Sequence, residues 1–145
     1  MLFGQDRDRL RSLYCEAWRQ HREGQPLDPL QAQIVAVVQQ HPEYQQLLEN
    51  PEKALGRDYL PELGETNPFL HMGMHLAIRE QIGTDRPAGI RGLYRSLSSR
   101  YPDSHSLEHR LMECLAQMIW QAQRDGQPAD EMRYLDCVRA ITREQ

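Results

Sequence analysis

Four of the six histidines fall into two matching frames. One is Pro68-Phe-Leu-His71-Met-Gly-Met-His75; the other is Pro102-Asp-Ser-His105-Ser-Leu-Glu-His109. The i, i+4 spacing puts both rings of a pair on one helix face, about one turn apart. Neutral imidazole is the commonest protein metal ligand, so two such helices facing each other would surround one ion. Glu113 continues the second frame by the same step and would add a carboxylate oxygen. His41, in His41-Pro42-Glu43-Tyr44, is a further candidate ligand, with Glu43 placed to orient a ring. Each first histidine lies in the opening turn of its helix, where the positive end of the dipole disfavours imidazolium.

The donor types limit the chemistry. Four nitrogens in a closed tetrahedron suit structural zinc, whereas two histidines and a carboxylate with open positions suit non-haem iron. Zinc or iron is therefore the expected ion. An open site would activate water or bind oxygen, with Glu113 positioned to move a proton. Five histidines and a carboxylate would also suffice for a dinuclear site. The Glu-x-x-His pairs of di-iron carboxylate bundles and the His-Glu-x-x-His step of zinc proteases are absent. No Ser/His/Asp ordering or glycine-rich phosphate loop is present either.

The elements that position these residues read as helices. Apolar residues recur at helical spacing over about 5–23, with Leu10, Leu13, Tyr14, Ala17 and Trp18 on one side. Asp28-Pro29 predicts the start of a second helix to about 40, and Pro42 interrupts it before a short continuation to about 49. Residues 50–66 form one long irregular connection, a kind of segment that is often functional. Asn67-Pro68 caps a third helix to about Ile82, and further helices span about 87–100, from Pro102 to Asp125, and from Pro128 onward. At about 100° per residue, His105, His109 and Glu113 form a stripe beside the apolar arc of Leu107, Leu111, Leu115 and Met118, shared with Ala116 and Trp120. That stripe is expected to face inward. The helix from Pro68 is apolar almost all round, as in a buried element, with His71 and His75 on the face of Ile78 and Ile82. No stretch alternates with period two. The expectation is an all-α, single-domain bundle over residues 1–145, with about five to six helices.

Composition narrows the partners. The formal charge is −4, and 16 of the 17 basic residues are arginines interleaved with acids, which leaves no basic stripe for a phosphate backbone. Nucleic acid is not an expected partner. The longest apolar run, near Ile34–Val38, is too short to span a bilayer, so no membrane association is expected. Cys15, Cys114 and Cys137 are widely spaced, form no Cys-x-x-Cys unit, and read as reduced, partly buried thiols of a cytoplasmic protein. Residues 5–11 are already charged, unlike a secretory leader.

Several stretches together carry a resemblance. His41-Pro-Glu-Tyr44, the run Thr66-Asn-Pro-Phe-Leu-His-Met-Gly-Met-His-Leu-Ala-Ile-Arg-Glu-Gln81, Asp85-Arg-Pro87, the His105/Glu108-His109/Met112-Glu113 frame and Trp120-Gln-Ala-Gln-Arg124 resemble a family of small proteobacterial proteins, known as a domain of unknown function. The resemblance implies a small bacterial cytosolic protein and brings no activity with it. A weaker similarity links His109-xxx-Glu113 to hemerythrin-like, histidine-rich helical bundles, though the order of histidines along the chain departs from theirs.

Two functional expectations follow. In the first, the protein is a helical metalloprotein with His71, His75, His105 and His109 as ligands, Glu113 as a fifth ligand or base, and His41 in reserve. In the second, it is a non-enzymatic adaptor or regulator that binds a protein partner through an exposed face such as 50–66. Its histidines then satisfy one another in a polar core network.

Overall fold

The computed structural model describes residues 2–60 and 66–144, with side chains from residue 6 onward. The described residues are all-helical, in eight helices. That exceeds the expected five to six, because Pro42 and Pro51 each begin a short helix of their own among the described residues. A proline at the first helical position has no N–H to leave unsatisfied, and its fixed φ suits the opening turn. The chain divides into two compact units, Met1–Leu76 and Ala77–Gln145.

The first unit holds α1 (Leu2–Arg22), α2 (Pro29–Gln39), α3 (Pro42–Leu48), α4 (Pro51–Gly56) and the opening turns of α5 (Pro68–Thr84). At the start of α2, the Asp28 carboxylate accepts from the Gln31 N–H at 2.7 Å, and the Gln31 side-chain oxygen accepts from the Asp28 N–H at 3.0 Å. This reciprocal box satisfies two backbone donors that the helix itself leaves unpaired. Asn67 does the same for α5, accepting from the N–H groups of Phe69 and Leu70. The core of this unit is Tyr14, Ala17 and Trp18 from α1, Ile34, Val37 and Val38 from α2, Leu48, Ala54, and Phe69 and Met72 from α5. Part of the 50–66 connection is therefore ordered as α4, while residues 61–65 lie outside the described residues.

One feature of α1 differs from the apolar pattern. Leu10 and Leu13 are exposed, and Arg11 is buried in their place. The reason is the C-terminal end of α4, whose last carbonyls have no helical partner. The Arg11 guanidinium donates to Ala54 O at 2.9 Å and Arg57 O at 2.6 Å. It also lies over the rings of Phe69 and Tyr59, at 4.9 and 5.5 Å from their centroids.

The second unit contains the rest of α5 with α6 (Ile90–Ser98), α7 (Ser104–Asp125) and α8 (Glu131–Thr142). Aspartates set its helix starts, two residues after Pro102 and three after Pro128. Asp103 accepts from the Ser106 N–H at 2.7 Å, and Asp130 from the Arg133 N–H at 3.1 Å. The turn before α6 is held by Asp85, itself at φ 53°, whose carboxylate accepts from the N–H groups of Gly89 and Arg91. Arg91 in turn donates to Ile82 O and Gly83 O at the end of α5. The core here is built from Ile90 and Leu97 of α6, Leu107, Leu111 and Leu115 of α7, and Tyr134, Leu135, Val138 and Ile141 of α8. The Tyr134 hydroxyl donates to the Gln81 side-chain oxygen at 2.6 Å, and burial pushes its pKa up to about 12.

The expectation of three reduced thiols is corrected. Cys114 of α7 and Cys137 of α8 form a disulfide, with Cα atoms 5.8 Å apart, and Cys15 is the free, buried cysteine. Their separation of 23 residues conceals the pairing in sequence, whereas the return of α8 along α7 brings them within bonding distance. No helix among the described residues is long and apolar enough to cross a membrane.

The Arg11 clamp generates a stability prediction. Arg11→Ala leaves buried carbonyls of α4 without donors and is expected to destabilise the protein by about 2–3 kcal/mol. The measurement is the urea midpoint of the two proteins at unchanged m-value. Arg11→Lys, with a single ammonium in place of the planar fork, is expected to recover only part of the loss.

Candidate metal centre

In the first unit three imidazoles meet. The i, i+4 step on α5 puts His71 and His75 side by side, with ring centroids 4.9 Å apart and Nε2 atoms at 3.3 Å. His41 comes from the junction of α2 and α3, where Pro42 prevents the two helices from merging. Its ring lies 5.0 Å from that of His71 and 4.8 Å from that of His75, edge-on to both. Tyr44, one turn further along α3, stacks on His41 with planes 9° from parallel. His41 and His75 are fully buried and His71 is half-buried.

The orientation of His41 is set by the backbone. Its Nδ1 lies 2.8 Å from Val37 O, and a carbonyl oxygen can only accept. Nδ1 therefore carries the hydrogen, and the lone pair of the neutral ring sits on Nε2. A ring nitrogen bonded to a backbone carbonyl while the other keeps its lone pair is the arrangement that fixes metal-binding histidines.

In the second unit, His105 and His109 occupy the first turns of α7, with ring centroids 4.2 Å apart. The cap Asp103 stands directly before them. Its bonds to Ser106 hold the carboxyl below the usual carboxylate range, and the charges of His105 and His109 push in the same direction.

The family model described as a domain of unknown function (DUF1841) matches residues 6–140. The chain belongs to that family. No curated protein matches it, and no solved structure matches it. The DUF1841 match spans every helix that carries a candidate ligand.

The remaining predicted residues of this DUF1841 chain are placed differently from the helical wheel. Glu113 is exposed and its carboxylate pairs with Arg110, one turn back on the same helix. Ala116 and Trp120, further along that stripe, are exposed as well. The wheel gives the angular width of an apolar arc but not which turns a neighbouring element covers, so only the histidine end of the stripe is partly covered. On α5, Met72, His75 and Ile78 are buried while Leu70 is 61% exposed, so that helix is not buried all round.

A carboxylate that the spacing argument passed over is Glu108. It is buried, and Arg79 of α5 donates through Nε to both of its oxygens, at 3.2 and 3.1 Å. Close by, the Tyr94 phenol is raised in pKa, first by burial and then by the Glu108 charge, with Arg79 opposing. A signal for Glu108 exists in the sequence. His105-Ser-Leu-Glu108-His109 reads His-x-x-Glu-His, the reverse of the zinc-protease step.

The Asp103 cap has a defined pH signature. Its carboxyl pKa is lowered on folding, so its contribution is fully present above the unfolded value and is lost as pH falls through the folded one. Asp103→Ala is therefore expected to lower Tm at neutral pH. The difference from the parent protein should close at pH values below the ordinary carboxylate range. Thermal melts of both proteins across the acid range provide the check.

Proposed function

We propose that this DUF1841 protein binds a metal ion, zinc or iron, through its histidines. The donors of this reading are His41 and His75 of the first unit, with His71 beside His75, and the pair His105 and His109 of the second. The observation that carries the reading is the 3.3 Å between the Nε2 atoms of His71 and His75. Two nitrogens at zinc-ligand distance on one tetrahedral ion stand about 3.3 Å apart. The tautomer of His41 supports the same reading, because a neutral ring with its hydrogen on Nδ1 carries its lone pair on Nε2, as metal-binding histidines held by a backbone carbonyl do. Three imidazoles from the first unit fall one short of a zinc shell. His105 and His109 offer the same donor type from the other half of the sequence. Glu113 is left out of the set, since Arg110 engages it.

With four imidazoles the ion would be chiefly structural. With one position open to solvent it would act as a Lewis acid towards bound water. Glu108 would then be the nearest carboxylate in sequence to the second pair. The same 3.3 Å contact also suits a hydrogen bond between one protonated and one bare nitrogen, which is the adaptor reading with a polar histidine network.

Metal content separates the two. Protein purified without a histidine tag and dialysed against zinc or iron(II) is expected to retain about one ion per chain by elemental analysis. His75→Ala combined with His109→Ala should abolish retention. Because ligand imidazoles must be unprotonated, acidification toward about pH 5 should release the ion and lower Tm together. A folded protein that takes up no ion, or a double variant that keeps its ion, overturns the proposal.

A further inference from the structure

A second chemically active group lies away from the histidines, where α8 returns along α7. The two sulfurs of the Cys114–Cys137 disulfide are unequal: Cys114 is 1% exposed, whereas Cys137 is half-buried. A cleft of about 330 Å³ opens beside them, walled by Gln117, Met118, Gln121, Arg133, Tyr134 and Asp136, whose carboxylate is already paired with Arg139 at 2.9 Å. That volume falls within the range of small-molecule sites.

We propose that this disulfide is a thiol-exchange site, which accepts a small thiol at Cys137. The lining suggests the class of thiol. Arg133 offers a guanidinium for a carboxylate, since its pairing with Asp130 is an exposed contact at 3.4 Å. Gln117 places its side-chain oxygen 3.9 Å from Cys137 Sγ, where it can accept an amide N–H. Met118 and the buried ring of Tyr134 supply apolar wall. The fitting co-reactant is a low-molecular-weight peptide thiol with carboxylate and amide groups.

Exchange depends on which sulfur a thiolate can reach. The incoming thiolate attacks Cys137 Sγ from the cleft. A bond forms between the incoming sulfur and Cys137 Sγ, the bond to Cys114 breaks, and Cys114 leaves as a thiolate that takes a proton from water. A second molecule of the thiol then attacks its own sulfur in the mixed disulfide, which frees Cys137 as a thiolate that is protonated in turn. In sum, two small thiols are oxidised to one small disulfide and the protein disulfide is reduced to two thiols. The covalent tie between α7, which carries His105 and His109, and α8 is then open.

The experiment uses the full chain carrying Cys15→Ser, with reduced glutathione as the probe. Oxidised protein should show no maleimide-reactive thiol. Millimolar glutathione at neutral pH should expose two, counted by intact mass. With Cys114→Ser added, Cys137 should form a mixed disulfide with oxidised glutathione. With Cys137→Ser instead, Cys114 should react at least about tenfold more slowly, as access controls thiol reactivity. Three results overturn the proposal: no disulfide in the oxidised protein, a disulfide that persists in millimolar glutathione, or equal reactivity of the two single cysteines. The first two are read on the parent chain, so they hold even if a serine variant fails to fold.

Discussion

Proline begins four consecutive helices in the first half of the chain, at positions 29, 42, 51 and 68, and the rest of the first unit depends on those breaks. A proline cannot donate to the preceding turn and restricts the residue before it, so adjacent segments cannot fuse into one rod. The break at Pro42 has a chemical consequence. It releases His41 from the end of α2 at a point where its ring folds back onto Val37 O, one turn earlier. A helix that continued through position 42 would carry His41 on its surface ladder and lose that bond. Chain stiffness thus fixes the tautomer of a buried imidazole.

Four polar residues are buried among those described: Arg11, His41, His75 and Glu108. Each has a partner that explains its tolerance inside. Arg11 satisfies the carbonyls that end α4, His41 bonds to Val37 O, His75 meets His71, and Glu108 meets Arg79. An unpaired polar group in such a place costs about 1–3 kcal/mol, so these contacts are obligatory and not incidental. The cases differ in what they imply. Arg11 and Glu108 are engaged by unlike groups, in a carbonyl clamp and an ion pair. The histidines meet one another, as donors and acceptors whose roles depend on the tautomer of each ring.

The disulfide illustrates the same dependence on packing. Cys114 is a buried position of α7 and Cys137 a half-buried one of α8, and each would serve as a small hydrophobe if its neighbour were elsewhere. Only the return of α8 along α7 turns them into a bonded pair. Burial then makes one sulfur inaccessible and leaves the other beside a cleft. Chemical asymmetry between two identical residues is therefore a product of the fold.

Much of the fold is legible in the sequence. Helix class and most boundaries followed from 3.6-residue periodicity and from prolines, aspartates and glycine that act locally, through bonds to the next few residues. The pairing of His71 with His75, and of His105 with His109, also followed, because i, i+4 adjacency is a property of a single helix. What the sequence could not determine is whatever depends on residues far apart along it. Leu10 and Leu13 obey the apolar pattern of α1 yet are exposed, because a carbonyl cluster more than forty residues away draws Arg11 inward. Glu113 completes a sequence stripe yet sits outside, because helical phase says nothing of which turns are covered. His41 joined His71 and His75, and Cys114 found Cys137, by tertiary packing alone. Short-range geometry is encoded in spacing, whereas convergence of distant side chains exists only once the helices have packed.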